Sequence, residues 1–202
     1  MSTEAKTAEP RRYRKRRRAE QEQRTRQAIT EAAVRLHGTV GPARTTVSAI
    51  AEEAGVQRAT VYRHFPNEEA LFAACSGHYM AMHPPPDPSR WAEIADPADR
   101  LREALTAVYR WWEETEDMMS RVIRDAPLVE GMAGPTRLRM AFFDQIVETL
   151  VRGRGLRGRR RARVAAAIHH ALALSTWQSL VREGGLANEE AVELMVGMVE
   201  RA

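Results

Sequence analysis

The chain has 202 residues, 44% hydrophobic and 29% charged, with a net charge of +4, the balance of an ordinary globular protein long enough to bury a core. No stretch approaches the roughly 18 consecutive apolar residues of a membrane span, the basic, polar start lacks the apolar run of a secretory signal, and the single Cys75 leaves no internal disulfide and fits a reducing cytoplasm. The charge is split: residues 1–65 carry 14 Lys and Arg against 7 Asp and Glu, a net of +7, while residues 66–202 carry 17 against 20, a net of −3.

A basic third of this kind suits a polyanion, the plain alternative being a tail that only aids solubility. Residues 1–19 read as a disordered basic arm ending in "RRYRKRRR", Arg11 to Arg18, with seven basic residues in eight. Like charges that dense repel one another and become favourable beside an anion. From Glu20 to about His37, the positions Ala28, Ile29, Ala32, Ala33 and Leu36 follow helical spacing. Gly38, Gly41 and Pro42 break it. Thr46 is placed to cap a helix whose apolar residues Val47, Ile50, Ala51 and Ala54 fall at i, i+3, i+4 and i+7. Gly55 sits where the chain must reverse. A second short helix runs from about Gln57 to Phe65, and Asn67, Glu68 and Glu69 open another that reaches about Met82.

"HPPPDPSR", His83 to Arg90, is a stiff break and marks the domain boundary. Asp96 and Pro97 start a helix with a Leu101, Leu105, Val108, Trp112 stripe. A separate short helix is predicted at about Asp117 to Arg124, then one after Gly134-Pro135 carrying Phe143, Ile146, Val147 and Leu150. Arg152 to Arg163 reads as a glycine-broken loop with seven arginines in twelve residues, either solvated, or meeting a partner subunit or a second anion. A long helix is predicted over about Arg160 to Arg182 and a last one near Asn188 to Arg201. No strand pairs are expected. The fold class is all-α, divided into the arm (1–19), a helix-turn-helix domain (20–66), a connecting helix (67–82) and an effector-binding and dimerisation domain (83–202).

Helix, glycine turn and a short helix with a thin apolar seam form a helix-turn-helix in outline. The seam of Val56, Val61 and Phe65 leaves the other faces of the second helix free for the major groove of double-stranded DNA. There Arg58 suits a guanine pair, Thr60 a base edge or thymine methyl, Tyr62 either task, and Arg63 and His64 phosphates.

The stretches "TTVSAIAEEAGV" and "ATVYRHFPNEEAL" resemble the N-terminal signature of TetR-type (tetracycline-repressor-like) transcriptional regulators over about residues 22–80. The resemblance implies a homodimer with a three-helix DNA-binding domain. It also implies a helical domain that binds a small-molecule effector and dimerises through its last two long helices. Carried over, it assigns base contacts to Ser48, Arg58, Ala59, Thr60 and Tyr62, and phosphate contacts to Thr46, Tyr62, Arg63 and His64. Two positions depart from the family pattern. Glu68 stands where a Lys or Arg usually meets phosphate, so Arg11, Arg12, Arg14, Lys15, Arg16, Arg17 and Arg18 are expected to supply much of the backbone grip. Gln57 replaces a small capping residue and is assigned a base contact instead.

For an effector pocket, the helices at 97–114, 135–151 and 160–182 are expected to contribute Trp112, Met119, Phe143, His170 and Trp177; at helical spacing such residues also serve as plain core. Adjacent His169 and His170 diverge on a helix and suit no shared metal. No catalytic or cofactor-binding motif is present, so neither enzyme activity nor a cofactor is expected. The reading is a cytoplasmic, nucleoid-associated regulator, more a repressor than an activator, released from a palindromic operator by its effector, with no membrane partner. The rival readings are a helical carrier or enzyme whose N-terminal corner meets no DNA, and a nonspecific nucleic-acid-binding protein.

Overall fold

The computed structural model describes residues 11–202, with side chains from Tyr13 onward. Every regular element among them is helical. The chain runs through α1 (Arg11–Thr39), α2 (Val47–Glu53), α3 (Arg58–His64), α4 (Glu68–Met82), α5 (Ser89–Ala92), α6 (Pro97–Asp125), α7 (Ala133–Val151), α8 (Gly158–Leu172), α9 (Leu174–Trp177) and α10 (Asn188–Glu200). Short 3₁₀ turns lie at Pro42–Arg44, Ala126–Leu128 and Glu130–Met132, and a π-helical segment spans Gln178–Glu183. No helix among the described residues is long and apolar enough to cross a membrane.

Two apolar cores organise these helices. The smaller joins Ile29, Ala32 and Ala33 of α1 to Ile50 and Ala51 of α2, Val61 and Phe65 at α3, and Leu71 and Cys75 of α4. The larger is centred on α6, whose Leu101, Leu105, Val108 and Trp112 pack with Ile146 and Leu150 of α7, Ile168 and Leu172 of α8, Trp177 of α9, and Val192, Met195 and Val199 of α10.

Helix starts are largely local in origin. Thr46 accepts from the Ala49 amide at 3.1 Å, Asn67 from Ala70 at 2.8 Å, and Asp96 from Ala98 and Asp99 at 2.9 Å each. Each thereby satisfies amides that the first turn leaves free.

Three segments differ from the sequence expectations. First, α1 begins at Arg11, so residues 11–19 continue the helix rather than forming a separate arm; residues 1–10 lie outside the described residues. Arg and Lys are good helix formers, and Arg16–Glu20 (2.9 Å) and Arg18–Glu22 (3.2 Å) pair one turn apart. Second, α6 is one helix of 29 residues instead of two. The charged run from Glu113 to Asp117 resembles a break, but Thr115, Met118 and Met119 carry the buried stripe straight through it.

Third, the helix expected over 160–182 stops at Leu172, where Ala173 is extended. The Ala171 carbonyl accepts from Tyr109 Oη (3.0 Å), that of Leu172 from Trp112 Nε1 (3.0 Å), and that of His170 from Thr176 Oγ1 (2.7 Å). Side chains thus satisfy carbonyls that a further helical turn would otherwise use.

The arginine-rich loop is partly internal. Arg154 donates to the Leu150 carbonyl (3.1 Å), the Pro97 carbonyl (2.9 Å) and Glu200 (2.5 Å), and Arg161 pairs with Glu148 at 2.5 Å. Buried Arg100 reaches the loop from α6, donating to the carbonyls of Ile94, Thr149 and Arg152. Arg159, Arg160 and Arg163 remain exposed.

Candidate functional site

The turn between α2 and α3 is closed by two backbone bonds, Val56 N to Ala51 O (2.9 Å) and Gly55 N to Glu52 O (3.0 Å). This is the Schellman arrangement, which needs a left-handed residue at its corner. Gly55 supplies it with φ 66°; a Cβ there would meet nothing within 4 Å, so the requirement is conformational and not steric.

α3 buries only Val61, with Phe65 closing its end. Gln57, Arg58, Ala59, Tyr62 and Arg63 are exposed and Thr60 is half-buried, with Arg58 and Tyr62 one turn apart on the same side of the helix. Gln57 occupies the N-cap position without a side-chain cap bond. Arg58 donates to Tyr62 Oη at 3.1 Å and lies 5.5 Å from its ring centre, one turn apart. Ser48 and Thr46 are exposed at the start of α2, with Thr46 engaged in its cap.

His64 stands apart from this group. Its side chain is half-buried, and its Nε2 is enclosed with no hydrogen-bond partner among the described residues. Burial lowers its pKa from the ordinary histidine value, and nearby Arg63 and Arg26 lower it further, against Glu22. The ring is therefore biased toward its neutral form, while Arg63, also expected at phosphate, is exposed at the end of α3.

Arg26 is a residue the sequence reading missed. It donates to the His64 carbonyl at 2.6 Å and stacks 4.1 Å from the Phe65 ring centre, fixing the end of α3 to α1. A basic residue on the polar side of a helical pattern gives no local sign of such a role. In the N-terminal part of α1, Arg14, Lys15, Arg16, Arg17 and Arg18 are all exposed. Arg11 and Arg12 lie on the same helix, with side chains outside the described residues. Glu68 opens α4, where the helix N-terminus favours a carboxylate.

A cavity of about 830 Å³ lies against the smaller core, within the roughly 300–1,000 Å³ of small-molecule sites. Its wall is mostly apolar: Phe72 and Tyr79 from α4, Trp111, Met118, Met119 and Val122 from α6, Met132, and Phe142 and Phe143 from α7. Val34, His37 and Pro42 complete it from α1 and the turn that follows.

Of the five residues expected to form the pocket, the structure brings Met119 and Phe143 to this wall. The other three lie elsewhere. Trp112 is buried behind Phe143, stacked at 5.6 Å and 14°, with its indole N–H held by Leu172. Trp177 is fully buried, donating to Asn188 at 2.8 Å, and His170 is exposed at the end of α8. The expected contribution of α8 is replaced by α4, because α8 is tied to α6 through Tyr109 and Trp112 and packs away from the cavity. His37 is 5% exposed and stacked on Phe72, with ring centres 5.0 Å apart and 14° between planes. Burial drops its pKa to about 4 despite the opposing pull of Asp125.

The two regions meet at Gly41, where φ is 90° and a Cβ would come within 2.5 Å of the Asp125 carboxylate. Asp125, the last residue of α6, accepts from the Ala43 amide (3.0 Å) and from Arg124 (2.7 Å).

Residues 29–75 match the profile of "Bacterial regulatory proteins, tetR family". The chain is 38% identical over 95 residues to the HTH-type transcriptional regulator TtgR of Pseudomonas putida, covering 46% of this chain and 45% of TtgR. It is 28% identical over 123 residues to an uncharacterized HTH-type transcriptional regulator of Mycobacterium tuberculosis, covering 60% of this chain and 61% of that protein. The matches thus span less than two thirds of these relatives. Among solved structures, AibR in complex with isovaleryl coenzyme A and operator DNA superposes with a TM-score of 0.61 at 22% identity, covering 86% of this chain and 97% of AibR. NalD, the secondary repressor of the MexAB-OprM efflux pump in Pseudomonas aeruginosa, gives 0.59 at 22%, covering 90% and 96%. Residues 29–75 thus carry the signature of the tetR family of bacterial regulatory proteins over the helix-turn-helix, and the fold along most of the chain is that of these solved structures.

Proposed function

We propose that the protein is a cytoplasmic, nucleoid-associated homodimer that represses transcription from a palindromic operator and is released by a small-molecule effector. The observation that carries this reading is the double duty of α4. Its Leu71 and Cys75 belong to the DNA-binding core, while its Phe72 and Tyr79 face the cavity. A ligand that displaces α4 changes the seat of α3 and, in a dimer, the separation of two recognition helices. That separation must match successive major grooves, roughly 34–36 Å apart or somewhat more.

The dimer is assigned to α8 and α10. Leu194 and Met198, four residues apart on α10, are 43% and 53% exposed, and Ala162 and Ala166 lie exposed on alanine-rich α8. Small side chains let helices approach closely. The relatives support the reading from outside: AibR was solved with an acyl coenzyme A and operator DNA, and NalD is a repressor. Domain limits follow the same division, with residues up to 66 reading DNA, α4 connecting, and the rest binding effector and partner.

The test is selection of bound sequences from random duplex DNA by the full chain, repeated with Arg58→Ala. A palindromic site is expected, with Arg58→Ala relaxing the preference at one base position per half-site and costing about 1–3 kcal/mol. No enrichment over bulk DNA, or an equal loss on all sequences, refutes sequence-specific regulation and favours nonspecific binding.

A further inference from the structure

The inner stripe of α7 contains one residue that does not belong to a core. Arg139, Phe143, Ile146 and Leu150 follow one another at helical spacing; Ile146 and Leu150 are fully buried and Phe143 faces the cavity. Arg139 occupies the first place in this series. It is half-buried on the cavity wall and has neither a hydrogen bond nor an ion pair among the described residues. A guanidinium drawn partly out of water is ordinarily paired, because desolvation is costly without a counter-charge. Here loss of water alone acts on its ionisation, lowering its pKa, with no carboxylate raising it.

The other charged groups on the wall do not answer it. Glu69 is exposed in the first turn of α4, where the helix N-terminus already favours its charge, and it lies beside Gly134. Arg137 is a second cation, exposed near the same end of α7. His37, on the far wall, is held neutral by burial. The cavity is therefore an apolar chamber with a single partly desolvated, unpaired cation set into its side.

We propose that Arg139 is the anion-binding group of this cavity and that the effector is an amphipathic anion, an apolar body ending in a carboxylate or phosphate. The proposal rests on the reading of the cavity as the effector site. The ligand's apolar part lies against Phe72, Trp111, Met118 and Phe142, and its anionic head takes the planar guanidinium, which matches carboxylate and phosphate oxygens two at a time.

The test uses the full-length protein without DNA. Straight-chain acids from octanoate to hexadecanoate, the matching alcohols, alkyl phosphates and alkylamines are titrated by calorimetry, with tryptophan fluorescence as a second readout. Wild type is expected to bind the best acid about tenfold or more tighter than its alcohol, the worth of one charge-assisted hydrogen bond. Arg139→Met is expected to bind acid and alcohol alike, with alcohol affinity and melting temperature not lowered, while Arg139→Lys keeps part of the preference. Tighter binding of the phosphate than the acid identifies the head group as phosphate, and the reverse as carboxylate. Equal wild-type affinity for acid and alcohol, tighter binding of the amine, a preference that survives in Arg139→Met, or no binding by any series overturns the proposal. Selection of DNA sites is measured separately, so a failure of the regulator reading is distinguishable from a failure here.

Discussion

His37 offers a prediction whose size follows from its surroundings. The ring is 5% exposed, stacked on Phe72, and holds its proton only near pH 4, against an ordinary value of 6.5. Burial is the larger cause, and the Asp125 carboxylate opposes it without prevailing. Between these two values the unfolded chain binds a proton that the native chain refuses, so stability falls as pH drops through this window. At pH 5 the histidine is largely protonated when unfolded and largely neutral when folded, which makes the loss relative to pH 7 about 2 kcal/mol, approaching about 3 kcal/mol below pH 4. Asp125, with its pKa held below the ordinary carboxylate value chiefly by Arg124, is common to wild type and the His37 variant and is expected to affect both alike. The perturbation is His37→Phe, which keeps a flat ring against Phe72 and removes the titration. The assay is urea unfolding followed by circular dichroism at pH 7, 6 and 5, at one protein concentration because a dimer's stability depends on it. Wild type should lose about 2 kcal/mol more than His37→Phe between pH 7 and pH 5. Any fixed cost of repacking shifts the variant equally at all three values. Parallel losses in the two proteins would refute the burial argument.

Two further substitutions probe the seams of the DNA-binding unit. Gly41→Ala forces an L-residue to φ 90° and drives a methyl into the carboxylate that holds Ala43; a loss of about 2–3 kcal/mol in urea unfolding is expected, and a variant as stable as wild type would show that this corner relaxes freely. Arg26→Met keeps helix propensity while removing the bond to the His64 carbonyl and the stack on Phe65. Stability should fall by about 1–2 kcal/mol, and operator affinity measured by fluorescence anisotropy should fall with it; undiminished affinity would mean that α3 is held by its apolar seam alone.

The DNA-reading half was legible in the sequence because its determinants are local. A cap at Thr46, a glycine at the corner and a seam of Val61 and Phe65 are each read within a few residues, and each is found in the structure. The cavity was not, for two physical reasons. The end of α8 is set by Tyr109 and Trp112, roughly sixty residues upstream, and nothing in the alanine-rich stretch itself announces a stop. Large aromatics also look alike in sequence whether they fill a core or line a chamber: Trp111 faces the cavity and its neighbour Trp112 does not, a distinction made by about 100° of helix rotation. Arg139 was open to detection as the one charge at the head of an apolar stripe, but Glu69 and Phe72 of α4, which build the opposite wall, lie across the predicted domain boundary.

The shared helix α4 also constrains how such a protein can change over time. Phe72 lines the cavity and stacks on His37 of α1, so under the proposed function a mutation there that admits a new compound alters the resting geometry of the reading heads as well. Phe142 lies on α7, which packs mainly against α8 and joins the larger core. Under the proposed function, new chemical specificities are therefore most readily acquired along α7, where a change of taste leaves the DNA address intact.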